Sequence, residues 1–440
     1  MSVFHPCFIC GYSFRSTTAW LIICVLFGSI PVRGESLSEF DLRRIEVAGL
    51  RILKSRHLQL VTDLPSSPAV DELPVVFDAA VPGWADYFNI SSERTAPWKM
   101  RAFLIQDRAK FAALGLLPQE RPDFINGFAS AQQLWLVEQP SDYYRRHLLL
   151  HEGTHGFMQA MLGGTGPGWY MEGMAELFGT HLWQDNQLLL RRMPPDRLEV
   201  PMWGRIKLVR EAALAGKSLD VPAILSLNER RAFSTNEYAW CWAFCKFLDA
   251  HPRRQKKFRQ LSAHASERRF NEKFCAQYIE EWPELLADWQ RFVAELDYGY
   301  DTQRMAIEHR PTAPLKSAAT VTIAADRGWQ STGWLLRAGR EYQLTASGRF
   351  TIAHDEVPWP CEAGGVTLRY HTGQPLGMLM GIWREEGGRF LQPEPLGLHA
   401  VLRPERDAVL YLRVNDSPAG LSDNRGELTV SISRGKASAD

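Results

Sequence analysis

The chain has 440 residues, enough for two or three domains and a sizeable core. Its 50 basic and 50 acidic residues balance, which argues against a nucleic-acid binder and against a disordered chain. Peptides, glycans and small molecules stay open as partners.

Near the N-terminus, Arg15 precedes an apolar run from Ala19 to Ile30. That run is short for a membrane span and has the length of a signal-peptide core. Val32 and Gly34 stand at the −3 and −1 positions of a cleavage before Glu35. A signal peptide over residues 1–34 is expected, with an uncleaved anchor as the alternative. The mature protein is then exported, to the periplasm, the cell surface or the medium, and carries no membrane span. Cys7, Cys10 and Cys24 leave with the leader. Of the remaining four, Cys241 and Cys245 lie one helical turn apart, a spacing that suits packing better than a mutual disulfide.

Residues 35–140 read as a small α/β layer. Leu50–Pro65 alternates like a strand pair, Trp98–Leu114 like a strand turning into a helix, and Ala131–Pro140 like a strand stopped by a proline turn. Residues 141–307 read as helical. A first helix spans Asp142–Met161, capped by Asp142 and stopped at Gly163-Gly164; a second spans Trp169–Trp183. Asn236–His251 is apolar on nearly every side, as a buried helix should be. Residues 308–319 read as a linker. From 320 to 434 short alternating runs punctuated by Gly, Pro and Asp predict an all-β sandwich, followed by a tail over 435–440.

The chemistry concentrates in the first two helices. His151-Glu152-Gly153-Thr154-His155 sets two histidines four apart. On a helix they differ by about 40° in direction and about 6 Å in rise, so both imidazoles can reach one ion. Zinc accepts neutral imidazole and carboxylate ligands and, in a catalytic site, keeps one position for water. Glu152 lies beside that face and can serve as general base. The third ligand has three candidates: His147, Glu172 and Glu176. His147 is about 12 Å of rise from His155, too far to share an ion bound at about 2 Å. Glu172 is the better choice, because the break Gly163–Gly168 lets the second helix fold back on the first. Glu176, one turn on, can accept from the far nitrogen of His151 and hold its tautomer. The bland alternatives are an ordinary histidine-bearing helix and a solvated acidic pair. Against the second, like charges one turn apart repel, and buried ones are costly unless paired or metal-bound.

"HEGTH" and "WYMEGMAE" resemble the two signature blocks of the gluzincin metallopeptidases, particularly the peptidase MA-like group related to zinc aminopeptidases. The resemblance covers Leu50 to Asp297. It implies an α+β zincin-type catalytic domain, zinc on His151, His155 and Glu172, and Glu152 as base. It also implies that Tyr238, in "NEYAWCWAF", stabilises the oxyanion. The aminopeptidase block that holds a substrate's free amine has no equivalent in Asn126–Glu138, which favours endo over exo action. The strand Gln132–Val137 is expected to offer an edge to an extended peptide.

In the β region, Asn415-Asp416 ends one strand and Asp423-Asn424-x-Gly426 begins the next. Hard oxygen ligands in one loop suit calcium; the same residue types also make ordinary turns. "VNDSPAGLSDNRG" and "GREYQLTASGRF" resemble bacterial calcium-dependent galactose-binding lectins of the LecA type, over Thr320 to Arg434. The resemblance implies calcium on Asp416, Asp423, Asn424 and the Gly420 carbonyl, and a possible glycan ligand. The expected protein is an exported zinc metallopeptidase acting on peptides or proteins and targeted by a lectin-like domain. One rival is a non-catalytic glycan-binding protein with a structural zinc. The other is a zinc amidase acting on cell-wall or acylated-sugar substrates.

Overall fold

The computed structural model describes residues 39–121, 123–227, 233–354, 358–385 and 388–435. The expected leader, and the expected tail beyond Gly435, lie outside them. The first half rests on a mixed sheet of β1 (Arg51–Lys54), β2 (Leu58–Thr62), β3 (Met100–Ile105), β4 (Gly127–Ser130) and β5 (Gln133–Val137), in the order β1-β2-β3-β5-β4. β2, β3 and β5 run parallel, and β1 and β4 flank them antiparallel. A parallel strand covered on both faces should be apolar throughout, and in β3 every residue but Arg101 is buried.

This order corrects one expectation. The strand from Gln132 is interior, and the edge on its side of the sheet belongs to β4. Ala131 takes a left-handed φ of 51°, which turns the chain so that Gly127–Ser130 folds back along β5. A fold-back set by one residue's left-handed turn leaves no periodic trace in the sequence.

Helix α1 (Leu73–Phe88) buries Phe77 and Trp84 under the sheet. Pro74 sits in its first turn, where a proline costs no hydrogen bond, whereas Pro82 lies in the helix interior, where it removes one. Helix α2 (Asp142–Leu162) is capped by Ser141, whose Oγ accepts from the Tyr144 N–H at 3.3 Å, and not by Asp142. It stops where Gly163 takes φ 72°. Helix α3 (Gly168–Gly179) ends short of Trp183, because Thr180 turns extended. His181–Gln184 (β6) then pairs with Gln187–Leu190 (β7). Asp185 and Asn186, with φ 52° and 57°, make that hairpin's two-residue turn. After these come α4 (Arg205–Leu214), α5 (Thr235–Ala250) and α6 (Trp282–Glu295), and α3 lies against both α2 and α5.

The C-terminal half is two packed antiparallel-rich sheets. One runs Gly364–His371, Gln374–Glu385, Ala408–Val414, Gln330–Leu336 and Ala313–Pro314. The other runs Pro358–Cys361, Phe350–His354, Arg425–Arg434, Tyr342–Ser347 and His399–Leu402, with Ala318–Ala324 also on Arg425–Arg434. Tyr342–Ser347 alternates buried and exposed residue by residue, the pattern of a strand with one face in a core.

The sandwich is joined to the helical half by buried chemistry. Ala313–Pro314, inside the expected linker, pairs in parallel with Gln330–Leu336. His309 holds Asp288 of α6 through Nε2 at 2.7 Å and the Tyr411 hydroxyl through Nδ1 at 2.9 Å. Arg413 reaches Glu295 of α6 at 3.2 Å, and the Asp301 N–H donates to the Pro418 carbonyl at 3.0 Å. Leu421 is 2% exposed and belongs to the hydrophobic core of the helical half, in one cluster with Leu296, Tyr300 and Met305. Among the described residues, no helix is long and apolar enough to cross a membrane.

Candidate metal centre

Helix periodicity and one reversal bring the site together. α2 presents His151 and His155 from successive turns, and α3, returning after the glycine break, presents Glu172 to them. The His151 and His155 Nε2 atoms are 3.2 Å apart. Glu172 Oε2 lies 3.2 Å from the first and 3.4 Å from the second. Three ligands at about 2.0–2.1 Å from a tetrahedral ion stand about 3.3–3.4 Å from one another. This near-equilateral triangle therefore fits one face of a zinc tetrahedron. One corner of it also suits a cation: Glu172 Oε2 is buried with no hydrogen-bond partner.

A second triad, His147, His151 and Glu176, is compact enough to hold an ion too. Its carboxylate is already taken. Arg205 donates to both Glu176 oxygens, from Nη2 to Oε1 at 2.7 Å and from Nε to Oε2 at 3.0 Å; Trp203 Nε1 adds 3.3 Å to Oε2. A cation there would face a guanidinium, so of the two triads the first is better suited to hold an ion. Glu176 instead bridges two imidazoles, with Oε1 3.6 Å from His151 Nδ1 and Oε2 3.5 Å from His147 Nε2. The His151 contact is longer than an ordinary hydrogen bond, and Glu176 leans more on Arg205 than the sequence led one to expect.

Electrostatics sort the three carboxyl groups. Burial pushes Glu152 up to about 7, a value suited to a base working near neutrality. Burial also pushes on Glu172, but the neighbouring His155 and His151 outweigh it and hold it down to about 2. Glu176 is buried as deeply, at 1% exposure, and Arg205 with His147 holds it well below the usual carboxylate range. Glu152 packs under the sheet edge. A Cβ on Gly127 of β4 would stand 2.9 Å from its Cδ, so any larger residue there would displace the Glu152 carboxyl. Tyr238 sits in the first turn of α5, which a capping box between Ser234 and Glu237 starts. Its ring lies 6.0 Å from the His151 ring, and burial raises its phenol.

Asp416 and Asn424, expected as calcium ligands, also meet. Asn424 Nδ2 donates to Asp416 Oδ2 at 2.9 Å and to the Ala325 carbonyl at 3.1 Å. The Ser417 N–H donates to Asp416 Oδ1 at 2.6 Å. Both Asp416 oxygens thus face N–H donors, Asn424 is 0% exposed, and a Cβ on Gly420 would stand 2.9 Å from Asp416 Oδ1. Asp423 sits half-buried on the short turn Leu421–Asp423.

Buried histidines give this half of the protein an acid limit. His181 donates from Nδ1 to the Gly179 carbonyl at 2.8 Å and accepts from Arg146 Nε at 3.4 Å; burial lowers it to about 3. His251 is likewise lowered to about 3 by burial and the nearby Arg254, and burial lowers His147. Folded values below the unfolded 6.5 mean stability present above pH 6.5 and lost as pH falls toward 3. Glu152, raised, acts in the opposite sense between about 4.5 and 7, one group against three. Thermal melts of the metal-free protein should fall from pH 6.5 downward, by up to about 1.4 kcal/mol per pH unit per histidine. A melting temperature flat from pH 7 to 5 would contradict this assignment.

Arg205 and Trp203 were not legible as site residues. They lie in "PMWGRIK", where nothing but distant packing makes them partners of Glu176. No family model matches the chain, and no curated protein does. Among solved structures it is similar to a chain titled "EclA N-terminal domain; PllA-like lectin", at 22% identity over 26% of this chain and 95% of that one. The TM-score is 0.21, too low a match to carry a fold or a function across.

Proposed function

We propose that the chain is an exported zinc metallopeptidase that cleaves within peptide chains. The observation that carries this reading is the triangle of His151 Nε2, His155 Nε2 and Glu172 Oε2, with a carboxyl group raised to about 7 at the next position on the same helix. A structural metal has no use for such a base beside its ligands.

Zinc, when bound, would supply the Lewis acid that polarises the scissile carbonyl and acidifies the attacking water. Glu152 would take that water's proton and return it to the departing amine. The Tyr238 phenol, kept protonated by burial, would donate to the developing oxyanion. β4 is the free sheet edge nearest Glu152, and an extended peptide laid along it would find backbone partners.

The test is metal analysis of the purified protein together with digestion of a peptide library, with and without 1,10-phenanthroline. About one zinc per chain is expected, with internal cleavages that stop with the chelator and return with added zinc. Intact peptides and no bound metal would leave only the reading as a binding protein.

A further inference from the structure

We propose that Arg205 is the positioning residue of this centre, holding through one guanidinium both the carboxylate that orients His151 and the ring of Tyr238. The inference rests on the zinc reading and deepens it. Arg205 opens α4 and is 6% exposed, far in sequence from every residue it serves.

Its two-pronged grip on Glu176, at 2.7 and 3.0 Å, fixes the plane of that carboxylate. With Oε2 also receiving Trp203, Oε1 is left turned toward His151 Nδ1 at 3.6 Å. A carboxylate so placed favours the tautomer with its proton on Nδ1, which leaves the Nε2 lone pair for the triangle with His155 and Glu172. The same guanidinium carbon lies 5.7 Å from the centre of the Tyr238 ring. It also hydrogen-bonds Tyr144, whose ring stacks on His147 at 5.2 Å. Arg205 therefore joins α2, α3 and α5 at the one point where a ligand, its orienting carboxylate and the proposed oxyanion donor converge. Lysine, a point charge without a planar fork, cannot reproduce this arrangement.

A structural ion pair and a positioning residue part company in zinc affinity. The experiment uses the full chain stripped of metal and titrated with zinc against a chromophoric chelator, with parallel melts of the metal-free form. Arg205→Lys and Arg205→Met should weaken zinc binding roughly 10–100-fold. Arg205→Met should also lower the melting temperature, because it strands the Glu176 charge. The double variant Glu176→Gln/Arg205→Met removes that charge. It should regain stability while its zinc affinity stays low, so the test survives if Arg205→Met alone does not fold. Zinc affinity at the wild-type level in Arg205→Lys and the double variant would overturn the proposal and leave the metal site standing. A wild-type protein that takes up no zinc would overturn both.

Discussion

Replacing Glu152 by glutamine is expected to leave zinc in place and to lower peptide hydrolysis by on the order of 10²–10⁴-fold. The proposed ligand atoms belong to His151, His155 and Glu172, so the substitution would remove only the proposed proton acceptor. Its effect on folding runs the other way. The folded Glu152 is raised to about 7 by burial, so above pH 7 the wild type carries an ionised group that the folded state disfavours. Glutamine has nearly the same shape and no charge. In the metal-free form the variant should be at least as stable as the wild type above pH 7, and by a few kcal/mol at most. Loss of zinc in Glu152→Gln, or unchanged hydrolysis, would remove Glu152 from the role of base. Lost activity with retained metal and retained stability has no explanation in misfolding.

Truncating Leu421 to alanine should destabilise the protein by about 2–5 kcal/mol, and the loss should be felt in the helical half. Leu421 comes from the sandwich, in the turn that follows Asp416, yet its side chain lies in the core that holds Leu296, Tyr300 and Met305. Around it the Asp301–Pro418 backbone bond, the Arg413–Glu295 contact and the His309 bridge to Asp288 tie the same faces together. Asp288 keeps its charge because His309 and Arg254 outweigh its burial and hold it down to about 2. Denaturant unfolding should therefore be one transition, and Leu421→Ala should speed amide exchange in α6. Two separate transitions, with α6 exchange unchanged, would mean the sandwich is an independent module.

That second prediction bears on the loop expected to bind calcium. Asp416 and Asn424 do come together, but buried within the sandwich, with N–H donors on both Asp416 oxygens and a neighbouring leucine in the helical core. The residue types were readable; their burial was not. The same contrast holds for the sheet edge. The strand at Gln132 was visible as a run stopped by a proline turn, but which strand lies outermost depends on Ala131 turning left-handed and folding β4 back.

What the sequence by itself determined is what repeats on one element. His151 and His155 share a face because four residues make about one turn, and Glu172 and Glu176 do so for the same reason. A glycine-rich break long enough to reverse the chain made Glu172 the natural third donor. Sandwich strands were legible from alternation of period two. The tertiary structure decided what depends on packing between elements distant in sequence. It brought Arg205 from α4 onto Glu176, placed Tyr238 beside His151, chose β4 as the edge over Glu152, and drew Leu421 into the helical core. Local periodicity fixes the direction of a side chain about its own axis; only the summed burial of many remote residues fixes what it meets there.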